Sequence, residues 1–353
     1  MKSKENGSIS LYVLIACTFF VTILVAQYNS SLNKARAIEE EVAQIQSNYE
    51  KSKENYTIYK DINGDTAPIP RGYTVSSDSN ENVIKNGLVI SDKSGNEYVW
   101  IPCTTDGSSS ELIYKRTEWV VEYDDNTRAS KDELTLTDPT VTYTDEDIKN
   151  GINMEVSEEI VEQINDEKES IERYGGYYIG RYEVGNKNNK AVIQANQEPY
   201  TDVIWSKAYE LAKGIGGGGV ATTYLCSSYA WDTAINFIQN TTGTSYATSI
   251  SGFNGNWRTQ EVKDSSGKVI KEANSANRLN TGLTTPLCNI YDMGGNAGEF
   301  TTEINPGTSD GVIARGGSYG DNVDGAAGER WDIGAGDSYL SYGFRATLFL
   351  NVY

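Results

Sequence analysis

From Ile9 to Ala26 the chain reads ISLYVLIACTFFVTILVA, almost wholly apolar. A run of this kind has one regular conformation open to it in lipid, a helix that satisfies its own backbone. At about 1.5 Å per residue it just spans a hydrocarbon core of about 30 Å. A short polar stretch, Met1 to Gly7 with Lys2 and Lys4, precedes it. Gln27, Tyr28 and Asn29 follow, where a cleavage site would need small residues. The pattern predicts an uncleaved anchor: a cytoplasmic tail at 1–7 and a transmembrane helix at 8–27. Lys2 and Lys4 favour a cytoplasmic N-terminus, against a weaker opposing bias from Lys34 and Arg36. The expectation is a single-pass protein of the cell membrane with its C-terminal part outside the cell.

Beyond the anchor, Ala35, Ile38, Val42, Ile45 and Tyr49 recur at spacings of three and four, with Glu, Gln and Lys between. That is an apolar seam on a helix. It predicts a helical stalk over 28–62, either a single solvated helix or a self-associating one. The short leader and the apolar helix also resemble type IV pilin-like proteins, although Tyr12 stands where that family carries its glutamate. The resemblance implies a structural surface subunit and leader removal after Gly7, which an intact Met1 in native material would contradict.

Charge and residue counts remove several function classes. Lys and Arg total 30 and Asp and Glu 49, a formal charge of −19, which is wrong for a nucleic-acid binder. It is also wrong for docking the bulk of the chain on an anionic leaflet. There is no histidine, so Ser-His-Asp triads, Cys-His dyads and His-ligated zinc or iron sites are excluded. Thirty-four glycines and 24 tyrosines indicate a loop-rich, turn-rich chain rather than a helical bundle. Cys17 lies in the apolar run, and Cys103, Cys226 and Cys288 form no CxxC pair. A Cys226–Cys288 disulfide and buried thiols both remain open.

The globular part is expected over 63–353. Leu88–Ile90 and Tyr98–Ile101 read as strands joined by the turn Lys93-Ser94-Gly95-Asn96. Between about Thr104 and Arg173 the chain is strongly acidic, which predicts a surface insertion carrying a helix over Ser157–Ile171. Gly176–Val184 is strand-like, and Ser206–Lys213 and Ser228–Gln239 have helical spacing. Gly216–Gly219 lacks a following Lys-Ser/Thr and is a turn, not a phosphate loop. Gly294-Gly295-Asn296 predicts a tight turn with positive φ.

Five segments, GGYYIGRYEVG (Gly175–Gly185), YAWDTAINFI (Tyr229–Ile238), IYDMGGNAGEFTTE (Ile290–Glu303), ARGGSYG (Ala314–Gly320) and YGFRATL (Tyr342–Leu348), together resemble the formylglycine-generating-enzyme, or sulfatase-modifying-factor, domain. The resemblance covers roughly Pro68 to Tyr353 and implies an α+β, loop-rich variant of the C-type-lectin-like fold. It departs at Gly298 and Phe300, where the family usually has tryptophan. Catalytic members use a cysteine pair shortly after RGGS to bind copper, and a related branch uses three histidines for iron. No cysteine follows Ser318 and histidine is absent, so neither copper nor iron is expected. The resemblance implies structural calcium, carried onto Asp292, Gly295, Ala297 and Glu299. Those positions could supply two carboxylates and two main-chain oxygens. Arg315 and Arg345, in RGGS and GFR, are expected to tie down loops through carboxylate or carbonyl hydrogen bonds.

The leading functional expectation is a non-catalytic extracellular ligand-binding or display protein. Its alternatives are an oxidase with rearranged ligands and a pilin-like subunit. Asp321–Tyr342, rich in Gly, Asp, Ser and Tyr, is the expected contact loop for a protein or glycan partner. Its placement resembles the variable proteins of diversity-generating retroelements. The contact positions are then Asp321, Asn322, Asp324, Glu329, Trp331, Asp337, Ser338, Tyr339 and Tyr342.

Overall fold

A computed structural model of the chain describes residues 5–53, 55–106, 112–119, 121–124, 127–130, 134–135, 154–249, 253, 255–264, 266–304, 311–322 and 325–352. It divides into two compact units, an N-terminal helix and a mixed helix-and-sheet unit over Asn55–Val352.

Helix α1 is Glu5–Lys53. Its stretch Leu14–Ala43 is long and apolar enough to cross a membrane. The hydroxyls of Thr18 and Thr22 donate to the carbonyls of Leu14 and Thr18, so the polar groups inside the apolar run are satisfied along the helix itself. Leu14, Phe19, Phe20 and Leu24 are exposed along it. The helix stops earlier than the expected stalk, at Lys53. The stretch read as the end of the stalk instead contains strand β1 (Tyr56–Lys60), which pairs antiparallel with β2 (Thr66–Pro70). The β-favouring alternation Tyr-Thr-Ile-Tyr explains the change.

The second unit is built on a six-stranded sheet. Its strands are β3 (Thr74–Val75), β4 (Val89–Ser91), β5 (Glu97–Pro102), β10 (Gly176–Gly180), β14 (Ala221–Leu225) and β21 (Ala346–Leu350), in the order β14-β21-β10-β5-β4-β3. The β4–β5 hairpin has Val89 opposite Val99 and Ile90 opposite Tyr98. Both faces of the sheet are covered, and period-two alternation divides its side chains between two cores. Tyr98, Trp100, Tyr178 and Leu348 enter one. Val99, Ile101, Tyr177, Ile179 and Phe349 enter the other. Helix α3 (Trp205–Ile215) closes the first face with Trp205, Ala208, Tyr209 and Ala212. Helix α4 (Ser228–Thr242) closes the second with Trp231, Ile235 and Ile238, and Ser227 caps it by accepting from the Ala230 N–H.

The acidic segment is less superficial than its charge suggests. Its described parts hold β6 (Thr117–Glu118), β7 (Val121–Asp124), β8 (Thr127–Ser130), β9 (Leu134–Thr135) and helix α2 (Met154–Tyr174). Tyr114, Thr117, Ile160 and Glu167 are buried. Ile160 and Ile171 of α2 enter different cores, so the helix docks along the sheet rather than lying on solvent. A second, four-stranded sheet has the order β19-β18-β17-β20, from β17 (Gly298–Ile304), β18 (Gly311–Arg315), β19 (Arg330–Gly334) and β20 (Tyr342–Phe344), with β17 and β20 parallel. Smaller sheets are β12-β11-β13, from β11 (Gly185–Lys187), β12 (Lys190–Val192) and β13 (Glu198–Pro199), and the pair β15 (Val262–Lys263) and β16 (Val269–Lys271).

Glu167 bolts α2 to its surroundings. Its carboxyl accepts from the Tyr114 hydroxyl at 2.6 Å, the Ser227 hydroxyl at 2.8 Å and the Gln163 amide at 2.8 Å. Burial pushes this carboxyl up to about 7, against the pull of those three donors. A raised carboxyl holds its proton when folded at pH values where the unfolded chain has lost it, so its contribution is present at low pH and declines as pH rises toward 7. Thermal midpoints of the parent are expected to fall between about pH 5 and pH 8. Glu167→Gln is expected to reduce that fall. A residual slope is expected from Asp292 and Glu299, which burial also raises. An unchanged pH profile in the variant would contradict this.

Candidate functional site

The turn Gly294-Gly295-Asn296 has φ of +97° at Gly295 and +60° at Asn296. This conformation aims the Asn296 amide inward and its backbone at two neighbouring segments. The amide nitrogen donates to Glu183 at 2.6 Å, and its oxygen accepts from the Leu279 N–H at 2.9 Å and the Asn256 amide at 2.7 Å. The Asn296 carbonyl accepts from the Tyr319 N–H at 2.9 Å. One buried residue thus fixes two loops that face each other. Between them lies a recess of about 380 Å³ lined by Glu198, Asn277, Arg278, Asn280, Tyr319 and Leu340.

A buried cation holds the loop behind that recess. Lys271 is 3% exposed, and its ammonium donates to the carbonyls of Trp257 (2.8 Å), Gln260 (2.6 Å), Ser275 (3.1 Å) and Glu272 (3.4 Å). Desolvation pushes its pKa down. The tethered ammonium gathers the main-chain carbonyls of Trp257, Gln260, Glu272 and Ser275 around one charge. On the opposite side Arg278 donates to the Leu340 carbonyl at 2.9 Å, to Thr201 and to Glu198 at 2.5 Å.

Two buried charge clusters lie beneath. In the first, Arg345 donates from Nε and Nη2 to both oxygens of Glu299 at 2.9 and 2.6 Å, and to the carbonyls of Gly180 and Tyr291. Burial raises Glu183, Asp292 and Glu299, and Arg345 pulls all three down. In the second, Asp232 accepts from Arg315 at 2.5 Å and Arg330 at 2.6 Å. Glu303 pairs with Arg330 at 3.1 Å and with Arg116 and Ser228. Burial raises Glu303, but Arg330, Arg116 and Arg315 outweigh it and hold the carboxyl at about 2. Arg315 also donates to the Gly328 and Glu329 carbonyls.

The four positions carried over for calcium have partners within the chain. Glu299 gives both oxygens to Arg345, Asp292 Oδ1 accepts from Thr284 at 2.7 Å, and the Ala297 N–H donates to Glu183. Gly295 serves the turn. Among the described residues no group of three or more His, Cys, Asp or Glu side chains is placed to hold a metal. All four cysteines are free thiols, with Cys103 and Cys226 buried.

The expected contact window is only partly an open loop. Residues 325–328 are buried, and the run after them is strand β19, paired with β18. Trp331 is half-buried opposite Ala314, with its indole N–H on the Gly316 carbonyl at 2.7 Å. Glu329 is half-buried beside Arg315. Asp321 is half-buried and closes a turn, its carboxylate accepting from the Ser318 N–H. Tyr342 is half-buried and stacks on Phe300, 6.1 Å between centroids. A Cβ on Gly298 would lie 2.7 Å from the Tyr342 ring, so the tyrosine takes the space that a tryptophan at 298 would need. Asn322, Asp337, Ser338 and Tyr339 are exposed, Tyr339 at 45%. Ser338 donates to Asp202 and Tyr339 to Asp337. Asp324 lies outside the described residues. Tyr339 and Leu340 bring the exposed part of the window to the recess rim. Tyr319, Arg278, Asn277 and Asn280 were not among the sequence candidates. Tyr319 was legible within RGGSYG, whereas the other three carry no pattern.

No family model matches the chain, and no curated protein matches it. Solved structures to which it is similar include Treponema denticola variable protein 1, at 17% identity and TM-score 0.36 over 49% of this chain and 84% of that one. CarF is 16% identical, TM-score 0.35, over 50% of this chain and 86% of its own. PvdO from Pseudomonas aeruginosa is 13% identical, TM-score 0.38, over 74% and 98%. At such low identity they speak to chain path alone.

Lys271→Met keeps the length of the side chain and removes its donors. Urea unfolding is expected to show a loss of about 1–3 kcal/mol, from the carbonyls of Gln260, Glu272 and Ser275, which lose this donor, and from that of Trp257, which keeps the Gln260 N–H. Asn296→Ala is expected to cost a similar amount, about 1–3 kcal/mol, since it takes one of two donors from Glu183 and the acceptor from the Leu279 N–H. Stability equal to the parent in both would show that neither residue holds the recess.

Proposed function

We propose that this chain is a membrane-tethered, non-catalytic binding protein that presents a C-type-lectin-like domain outside the cell and takes its ligand at the recess between Tyr319, Arg278 and Leu340. The carrying observation is the contrast within the C-terminal region: a buried, ion-paired interior beside the exposed Asn322, Tyr339 and Leu340, the last of which lines the recess. Rigid aromatic area beside adaptable amides is a chemistry suited to recognition. Arg278 is already paired by Glu198, so the recess offers amides, a phenol and an apolar edge rather than a net charge. The missing cysteine pair and the absence of histidine support a binding rather than an oxidative role. The apolar stretch of α1 supports tethering, and Lys2 and Lys4 support an outward C-terminal domain.

The same contrast refines the diversification reading. The side chains of Trp331, Tyr342 and Asp321 are committed to packing or hydrogen bonds, and exchanging them would disturb the scaffold, whereas Glu329 holds Arg315 through its main-chain carbonyl. Asn322, Asp337, Ser338 and Tyr339 can change at little cost.

Binding is tested with the full chain in detergent against an array of bacterial-surface glycans and a panel of surface proteins. Tyr319→Ala combined with Leu340→Ala is expected to weaken any captured ligand at least about tenfold, a loss typical of removing a central contact. Unchanged affinity for every captured ligand would remove the recess as the site. Sibling gene copies are expected to differ chiefly at Asn322 and Asp337–Leu340. Substitutions spread evenly along the chain would contradict diversification.

A further inference from the structure

A basic groove lies on the three-stranded sheet, apart from the recess. The β11–β12 hairpin turns at Asn188 and Asn189, with φ of +54° and +63°. Lys187 stands opposite Lys190, next to this two-residue turn. In such a hairpin the residues flanking the turn exchange both hydrogen bonds, and the next pair, Asn186 and Ala191, does not. The Ala191 N–H and C=O therefore point away from β11. Since β12 is the outer strand of the order β12-β11-β13, they lie on its free edge.

Between that edge and α3 runs a groove of about 650 Å³, lined among others by Lys187, Lys190, Ala191, Lys207, Leu211 and Ile215. A second recess of about 490 Å³ shares Ser94 and Ile215 with it and adds Arg71 and Lys93. Five cationic side chains thus border a continuous surface on a chain of net charge −19. Its acids are Glu210, which pairs with Lys207 at 3.1 Å, and Asp92, which accepts from the N–H groups of Ser94 and Asn96. Neither neutralises Lys187, Lys190, Lys93 or Arg71.

We propose that this groove binds an extended acidic peptide segment, which adds to the free edge of β12. Three features fit that occupant at once. The edge offers a main-chain donor and acceptor, the usual basis of strand addition. The half-buried Leu211 and Ile215 give an apolar floor for alternate side chains. The lysines meet carboxylates on the side chains between. An acidic polymer without a peptide backbone would use the charges but neither the edge nor the floor. Lysines on an edge strand also guard it against unwanted pairing. A guarded edge repels every strand, and this one is selective only if acidic strands bind.

The probe is a labelled synthetic peptide of about ten residues alternating Val or Thr with Asp or Glu, as strand periodicity requires. It is titrated by fluorescence polarisation against the full chain in detergent. Saturable binding that weakens with salt is expected. Lys190→Glu with Lys207→Glu is expected to weaken it at least about tenfold. Ala191→Pro removes an N–H that the ladder does not use, so the protein is expected to fold, as circular dichroism would check, and to lose the peptide to a similar degree. Lys60→Glu, an exposed charge on β1, is expected to change nothing. No saturable binding at low salt would overturn the proposal and identify a guarded edge. An Ala191→Pro protein that is folded and binds as well as the parent, with polyphosphate competing equally, would also overturn it, since attraction would then be charge alone. Neither result bears on the recess, where the proposed ligand face lies.

Discussion

The guanidinium of Arg345 is fully buried, and the second unit is arranged around it. It stands between β20 and β21, so its backbone joins the four-stranded sheet to the six-stranded one. Its side chain then closes the same junction a second time, through Glu299 of β17, the Gly180 carbonyl at the end of β10 and the Tyr291 carbonyl before the Gly-Gly-Asn turn. A buried guanidinium is tolerable only when its donors are matched, and this one has carboxylate and carbonyl partners on three segments. Removing one partner of such a pair costs on the order of 3–5 kcal/mol, because the other charge is left uncompensated. The second cluster repeats the device with three arginines and two acids. Arg315 and Arg330 fix β18 and β19 to the start of α4, and Arg116 ties in the acidic segment.

This interior explains why the surface above it can be a binding face. Glu183, Glu299 and Arg345 hold the Gly294–Ala297 turn from below, and Asn296 passes that order to Leu279 and Tyr319. Lys271 orders the loop behind. The two walls of the recess therefore inherit their positions from buried groups, and residues at the rim are not needed to hold the fold. Gly316 belongs to the same logic. Its φ is +71°, and a Cβ there would lie 2.5 Å from the Met293 carbonyl, so RGGS can approach the turn only with glycine at that place.

Much of this frame was legible in the sequence. The β4–β5 hairpin, the three helices after the stalk and the positive-φ turn follow from alternation, periodicity and glycine. The arginines of RGGS and GFR stood out as lone charges in apolar or glycine-rich surroundings. Other parts were hidden for physical reasons. Tyr56–Lys60 continues a chain already helical, and only its β-branched alternation marks the switch. Tyr114, Thr117 and Glu167 sit in a segment whose acidic average concealed buried positions. Trp331 looked like a loop aromatic because Gly and Asp surround it, yet strand pairing with Ala314 turns it inward. The pairing of Glu299 with Arg345 was hidden because pattern shows charge and not partner, and the two lie 46 residues apart. Lys271 and Arg278 have no local signal, since their partners are carbonyls and residues distant in sequence.

The coupling of the two sheets through Arg345 is tested most directly by native-state amide hydrogen exchange on the full chain, comparing the parent with Arg345→Lys. Lysine keeps the charge but cannot span both oxygens of Glu299 and two carbonyls. The account predicts that protection falls together in Gly176–Gly180 and Ala346–Leu350 of the larger sheet and in Gly298–Ile304 of the smaller one. Loss confined to one sheet, with the other as protected as in the parent, would contradict it.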